Sequence, residues 1–63
     1  MGKVYVLIDK YDAYGDKWET IIGVYTNKDR AEYELATRLY ERKKYERYES
    51  DYELEEHTLI KQP

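Results

Sequence analysis

Three aspartates near the first turn are the side chains whose type and spacing first suggest chemistry. Asp9, Asp12 and Asp16 lie close together, and carboxylate oxygens arranged around a turn are ligands that calcium prefers. A calcium-binding loop needs ligands at alternate positions, however, and Tyr11 and Ala13 occupy those positions. The chain also has no cysteine, which excludes thiolate metal sites and disulfides. We therefore predict no metal site.

The side chains that most often carry out catalysis are scarce and isolated in this sequence. His57 is the only histidine, and no partner residue lies at the spacing of a metal site or a catalytic triad. Ser50 is the only serine, and no nucleophile elbow surrounds it. The glycines are too far apart to form a phosphate-binding loop. We expect no catalytic residue and no cofactor, and His57 is predicted to be an exposed strand residue.

A basic group in the second half of the chain alternates with tyrosines. Its cations are Arg42, Lys43, Lys44 and Arg47. The interleaved rings are Tyr40, Tyr45 and Tyr48. Single-stranded nucleic acids are bound by surfaces of this composition, but the last turn of a helix is also commonly cationic because of the helix dipole. Three glutamates in the same segment weaken the positive charge, so nucleic-acid binding is the less favoured interpretation.

The acidic C-terminal segment has two interpretations as well. Its carboxylates are Glu49, Asp51, Glu53, Glu55 and Glu56. They could imitate a phosphate backbone or dock a basic protein. The interpretation that we favour is a charged edge strand that prevents unwanted sheet pairing.

Nine tyrosines and one tryptophan, with no phenylalanine, are the most unusual feature of the composition. A chain of 63 residues has too small an interior to bury so many rings, and tyrosine suits partly hydrated interfaces. We expect the large aromatic side chains that the core needs least to contact a protein partner. These are Tyr11, Tyr14, Trp18, Tyr33 and Tyr40.

The charge balance also favours a protein partner. Charged residues make up 40% of the chain, yet the net charge is only −3, whereas a dedicated nucleic-acid-binding domain is clearly basic. No apolar run is long enough to span a bilayer, and the first residues do not resemble a secretion signal. We expect a cytoplasmic protein that does not bind membranes.

Alternating apolar residues predict three strands. The first two are at residues 3–10 and Trp18–Tyr25, joined by a loop at Tyr11–Lys17 in which Gly15 is free to adopt a positive φ. This arrangement predicts an antiparallel hairpin. The third strand is predicted at about Asp51–Ile60.

A helix is predicted between the second and third strands. Thr26 or Asn27 is its N-cap, and no glycine or proline interrupts it before Glu46. The stripe that faces the sheet is Ala31, Leu35 and Leu39. A second stripe points away from the sheet and consists of Tyr33, Ala36 and Tyr40.

These elements predict a single α+β domain over residues 1–63, with the order ββαβ. The third strand runs antiparallel to the first and fits best beside it, which gives a three-stranded antiparallel sheet of order 2-1-3. One helix covers one face of this sheet. The other face is left open and is a place for a partner. Our candidates for that open face are Tyr5, Leu7, Ile21, Tyr25 and Tyr52.

Four segments resemble a known group of proteins. They read Lys3-Val-Tyr-Val-Leu7, Ile21-Ile-Gly-Val-Tyr25, Thr26-Asn-Lys-Asp-Arg-Ala31 and Tyr52-Glu-Leu-Glu-Glu56. The pattern resembles short uncharacterised proteins of bacteria and phages that are known only as a ββαβ domain of unknown function. The resemblance covers about residues 3–56 and implies the fold, but it carries over no catalytic residue. The group usually has a Gly/Pro-containing loop where this chain has Arg42–Tyr48.

Three functions follow as hypotheses. The first is a small non-catalytic protein-binding module. The resemblance implies that this module is a phage-encoded inhibitor of a host defence or nucleic-acid enzyme. The second is a homodimer that pairs its sheet faces or its third-strand edges. The third is a weak nucleic-acid binder that acts through Arg42–Arg47.

Overall fold

The computed structural model, which describes residues 2–58, contains three strands and one helix. In chain order they are β1 (Lys3–Ala13), β2 (Asp16–Tyr25), α1 (Lys28–Lys44) and β3 (Ser50–Thr58). The strands form one antiparallel sheet of order β2-β1-β3. This confirms the predicted ββαβ order, the α+β class and the sheet order. Residues 59 and 60, which the prediction places in the third strand, lie outside the described residues.

The hairpin turn is much tighter than predicted. Only Tyr14 and Gly15 connect the strands, at φ values of +56° and +83°. Two central residues at positive φ are typical of the type I′ turn, whose twist matches that of the flanking strands. The predicted loop at Tyr11–Lys17 is therefore wrong, and Tyr11 lies within β1. The prediction placed the turn-forming aspartates in the loop, but this turn needs only two residues and the aspartates lie in the strands.

The helix begins as predicted, and it ends at Lys44, between Tyr40 and Tyr48, the two ends that the sequence leaves open. Asn27 is the N-cap, because its side-chain oxygen accepts a hydrogen bond of 3.0 Å from the Arg30 N–H. At the other end the Arg47 N–H donates to the Arg42 carbonyl at 2.9 Å, and Glu46 adopts a φ of +55°. This is the geometry of a Schellman motif, which usually has glycine where Glu46 stands.

The register shows which face of the sheet α1 covers. Leu7 and Ala31 of the helix are both fully buried, and Tyr5 on the same side of β1 is buried too, whereas the other side of β1 has Ile8 buried but Val4 and Val6 only half-buried. Leu54 of β3 lies opposite Leu7. Residues directly opposite each other in an antiparallel pair share a face. The covered face therefore includes Tyr5, Leu7, Tyr25 and Tyr52.

Our candidates for the open face are wrong in four of five cases, because only Ile21 lies there. The reason in β2 is a bulge: Gly23 lies opposite Leu7 and Ile21 opposite Ile8, so Ile22 is an extra residue that shifts the alternation. In β1 both faces are apolar, and alternation alone could not say which one the helix covers.

The helix stripe also departs from the prediction. Ala31 is fully buried and Leu35 is half-buried, but Leu39 is 39% exposed. At about 100° per residue, a stripe of every fourth residue drifts by roughly 40° per step, which turns Leu39 some 80° from Ala31. Arg38 and Arg42 lie within about 20° of Ala31 by the same rule, and both are half-buried. The sheet-facing stripe therefore becomes polar toward the end of the helix.

Candidate functional site

Two aromatic residues of the hairpin form a stacked pair. Tyr11 of β1 lies directly opposite Trp18 of β2, and their ring centroids are 4.3 Å apart with the planes 11° from parallel. Tyr11 is half-buried, while Trp18 is 53% exposed. The pair lies on the sheet face that α1 covers, toward the turn. Two of the predicted partner-binding residues are therefore brought together.

The third hairpin residue, Tyr14, projects from the turn. Its side chain is 97% exposed, so its ring makes almost no contact with the rest of the chain. A non-glycine residue at positive φ is strained by roughly 1–2 kcal/mol, and asparagine is the usual residue at this position of a type I′ turn. Neither packing nor turn geometry explains why a tyrosine stands there.

The end of the helix brings cations and tyrosines together. The Schellman turn reverses the chain after Lys44, and four cation–ring contacts lie in this region. Arg42 lies 5.1 Å from the centre of the Tyr48 ring, and Arg47 lies 5.3 Å from that of Tyr45. The Lys44 ammonium lies 5.4 Å from the Tyr45 ring and 6.0 Å from the Tyr40 ring.

We call these six residues the helix-end cluster: Tyr40, Arg42, Lys44, Tyr45, Arg47 and Tyr48. Its three tyrosines are more than half exposed, so their rings remain available to a partner. Lys43, the remaining residue of the predicted basic group, is exposed in the same last turn of α1. Three of the four predicted cations therefore join the cluster.

The hairpin aromatics and the helix-end cluster lie at the same end of the molecule. Ser50, the first residue of β3, pairs with Tyr11, and the Arg42 guanidinium donates to the Ser50 carbonyl. The Asp12 N–H donates to the Glu49 carbonyl at 2.8 Å. We call this combined surface the aromatic end. It comprises Tyr11, Tyr14, Trp18 and the helix-end cluster.

Sequence reasoning found both groups of residues but missed that they are neighbours. The signal was present in the topology. Because β3 runs antiparallel to β1, the segment that precedes β3 must lie beside the end of β1.

Tyr33 and Tyr40 lie on the outer face of α1, as predicted, and both are exposed. Their surroundings differ, however. Lys44 connects Tyr40 to the helix-end cluster, whereas Tyr33 lies about 10 Å further back along the helix axis. Tyr33 is therefore not part of the aromatic end.

The model of a family described as a domain of unknown function, DUF7336, matches residues 2–61 of the chain. The chain belongs to this family. No curated protein and no solved structure matches this DUF7336 domain. The description of DUF7336 names no activity. Membership therefore establishes the family, and a function has to be inferred from the arrangement of the side chains.

The three aspartates near the hairpin turn of this DUF7336 domain do not share a site. Asp9 and Asp12 lie on opposite faces of β1, since successive residues of a strand alternate. Asp12 contacts Lys17 at 3.8 Å, and Asp9 has one buried carboxylate oxygen without a hydrogen-bond partner among the described residues. Within residues 2–58 no group of three potential ligands could hold a metal ion.

The remaining candidates for chemistry, His57 and Ser50, both lie on β3. His57 lies on β3 with its side chain 3.1 Å from the Glu55 carboxylate, and both are well exposed. The Ser50 carbonyl is used by Arg42. In the part of the DUF7336 domain that the structure describes, no helix is long and apolar enough to cross a membrane.

One lysine has a perturbed proton affinity. Lys10 of β1 lies between two strands, with its ammonium bonded to Glu53 of β3 and 3.6 Å from Glu19 of β2. The hydrogen bond that Lys10 donates to Glu53 raises the pKa of Lys10 above its ordinary value, and the negative charges of both glutamates act in the same direction. Lys10 thus electrostatically joins all three strands on the open face of the sheet.

Proposed function

We propose that this DUF7336 domain is a non-catalytic protein-binding module whose contact surface is the aromatic end. The observation that carries the proposal is Tyr14. A 97% exposed tyrosine at a strained positive φ contributes nothing to folding that asparagine would not supply better. Strain of this kind persists where function requires the side chain.

The composition of the aromatic end supports the same function. Tyrosine, tryptophan and arginine dominate the energetically important contacts of protein interfaces, and all three occur here. Trp18 is held by its stack on Tyr11, and Arg42 by its bond to Ser50. Side chains that are already held in place lose less conformational entropy when a partner binds.

The experiment uses a variant that binds less well without folding less well. Tyr14→Asn removes the ring and is expected to stabilise the turn, so any loss of binding cannot come from unfolding. The chain is immobilised to isolate a partner from cell extract, and the purified partner is then titrated against wild type and variant. We expect binding to weaken by about tenfold or more for Tyr14→Asn.

Tyr33→Ala is the matched control, since Tyr33 is exposed but lies away from the aromatic end. It should leave the affinity unchanged. Weaker binding in Tyr33→Ala with unchanged binding in Tyr14→Asn would place the contact on the outer helix face instead and contradict the proposal.

The partner class follows from the resemblance to short phage and bacterial proteins. On that basis we propose a phage-encoded inhibitor of a host defence or nucleic-acid enzyme. The purified partner tests this directly: its catalytic rate should fall when the wild-type chain is added and should recover with Tyr14→Asn. A partner without enzymatic activity would contradict this finer proposal while leaving the binding proposal intact.

A second candidate function is single-stranded nucleic-acid binding by the helix-end cluster. Four contacts between cations and exposed tyrosines favour it, because stacking on aromatic rings combined with positive charge is how such strands are bound. A fluorescent oligonucleotide should then bind at low salt and dissociate as salt rises. Binding should also be lost in Lys44→Gln combined with Arg47→Gln, whereas Lys28→Gln, at the other end of α1, should have no effect. Absence of binding at low ionic strength would eliminate this candidate.

A further inference from the structure

The sheet face that α1 does not cover carries exposed branched side chains. The exposed ones are Ile21 and Val24 of β2. They lie beside Val4 and Val6 of β1, which are half-buried, and Ile8, which is buried. Ile21 is 65% exposed and Val24 is 58% exposed. A strand face that meets only water usually carries polar residues in such positions, so these side chains indicate a surface that another molecule covers.

The third strand gives the same face an acidic border. Asp51, Glu53 and Glu55 of β3 all lie on the open face, beside Lys10, Ile8 and Val6 respectively. Among residues 2–58, the lysines on this face are Lys10 and Lys17, against five carboxylates, which come from Asp12, Glu19, Asp51, Glu53 and Glu55. Lys10 already neutralises part of this charge through Glu53 and Glu19. The face is therefore an apolar strip with a net negative border.

The shape of the surface restricts what can cover it. An added strand would pair with an edge of the sheet, whereas a face is covered by a helix or by a second sheet. The second sheet could come from another copy of the chain. With aligned strands, a symmetric pair places β3 over the β3 of the other copy or over its β2. The first arrangement opposes carboxylates, and the second places carboxylates over Ile21 and Val24.

We propose that the open face is a second binding surface, independent of the aromatic end, that takes an amphipathic helix with a cationic flank from a protein partner. An apolar stripe on that helix would cover Ile21 and Val24, and lysine or arginine beside the stripe would meet Glu53 and Glu55. Strands of this length present roughly 30 Å of face, which accommodates about 18 residues of helix. The bound helix would complete a helix–sheet–helix arrangement of three layers.

The probe is a fluorescein-labelled synthetic helix of about 18 residues with leucine at i, i+3, i+4 and i+7 and lysine elsewhere. Its affinity for the chain is measured by fluorescence anisotropy. We expect the affinity to fall about tenfold or more for Ile21→Thr combined with Val24→Thr, which keeps β-branched residues in the strand. We expect a similar fall for Glu53→Gln combined with Glu55→Gln, a pair that leaves the apolar strip intact.

Two controls separate binding at this face from attraction by charge alone and from binding at the aromatic end. A peptide of the same composition with its leucines distributed around the helix should bind at least about tenfold more weakly, because it has no apolar stripe. Tyr14→Asn should bind the probe as wild type does, which makes a failure here distinct from a failure of the aromatic end.

Three results would overturn the proposal. Equal binding of the redistributed peptide would mean that charge alone attracts the probe. Unchanged binding by both double variants would remove the face as the site. The third result concerns the homodimer, which stays a prediction, and it comes from light scattering, which measures the oligomeric state. A dimer that becomes monomeric in Ile21→Thr combined with Val24→Thr would show that a second copy covers the face, and the proposal would be wrong.

Discussion

The rings of Tyr11 and Trp18 stack across the hairpin, 4.3 Å apart and 11° from parallel. The contact joins β1 and β2 at the last position where β1 also pairs with β3, since that pairing ends at Tyr11. Stacked aromatic pairs contribute about 0.5–1.5 kcal/mol beyond the burial of their area. This pair therefore keeps the turn and Tyr14 in a defined position.

A double-mutant cycle measures that contribution. Tyr11→Thr, Trp18→Thr and the double variant are unfolded with urea, and we expect a coupling free energy of about 0.5–1.5 kcal/mol. The matched control is the neighbouring exposed pair Asp12 and Lys17, 3.8 Å apart, whose smaller coupling should disappear at high salt. A coupling for Tyr11 and Trp18 that is zero, or that also disappears with salt, would contradict a stacking contribution.

Substitutions of Tyr14 in the hairpin turn provide a second test, and one of them should make the protein more stable. Tyr14→Asn should raise the free energy of unfolding by about 1 kcal/mol, because asparagine tolerates positive φ better than tyrosine does. Tyr14→Thr should lower the free energy of unfolding, since a β-branched residue is least tolerant of this conformation. Urea unfolding of the three proteins checks the order. If tyrosine were more stable than asparagine here, the ring would have a folding role and Tyr14 would no longer indicate a binding surface.

Position 23 favours glycine because the Tyr25 side chain lies close to its backbone, and not because of its backbone conformation. A Cβ atom at this position would lie 2.8 Å from the Tyr25 hydroxyl oxygen and 3.0 Å from the ring carbon that bears it. Gly23→Ala should therefore force the Tyr25 ring to move and lower the free energy of unfolding by about 1–3 kcal/mol. Thermal or urea unfolding measures the loss.

The control for this prediction uses the atom that clashes. Tyr25→Phe removes the hydroxyl, so Gly23→Ala should have a smaller effect in that background. Gly15→Ala is strained by its φ of +83° and meets nothing within 4 Å, so its effect should be the same in both backgrounds. Equal losses for Gly23→Ala with and without the hydroxyl would contradict a steric cause.

The order of elements and the strand neighbours were predictable because local patterns and chain direction determine them. Asn27 is a typical N-cap, and a third strand antiparallel to the first has one natural position beside it. The assignment of faces was not predicted, because the bulge at Ile22 reverses the alternation of β2. The sequence of β3 contained the useful signal, because Tyr52 and Leu54 lie on one face of that strand and Glu53 and Glu55 on the other. An apolar side of an edge strand indicates where the helix must pack.

The candidate site was predictable as a set of residues but not as a surface. The aromatic residues were identified because a small interior cannot hold them, and exposure of Tyr14, Trp18, Tyr33 and Tyr40 agrees with that reasoning. Their arrangement depends on the Schellman turn at Glu46. The sequence does not indicate this turn, because it lacks the glycine that usually occupies that position. Without that turn, nothing in the sequence places Tyr45 and Tyr48 beside Arg42 and Arg47.

Lys10 provides a test of the electrostatics on the open face through pH. Its pKa is raised above the ordinary value of 10.5, first by the hydrogen bond to Glu53 and further by the charges of Glu53 and Glu19. A group whose pKa is higher in the folded state stabilises the fold while it is protonated. The contribution of Lys10 is therefore fully present below its ordinary pKa and is lost as the pH rises through the folded pKa.

Urea unfolding at a series of alkaline pH values, compared between wild type and Lys10→Met, measures this contribution as a difference. Tyrosine ionisation occurs in both proteins and cancels. We expect the difference in the free energy of unfolding to be constant near neutral pH and to shrink only in strongly alkaline solution. In Glu53→Gln the pKa of Lys10, followed by NMR, should move back toward its ordinary value, because the largest cause of the shift has been removed. A difference that already shrinks near neutral pH would mean that Glu53 and Glu19 do not hold the proton on Lys10, and the three strands would lack this electrostatic connection.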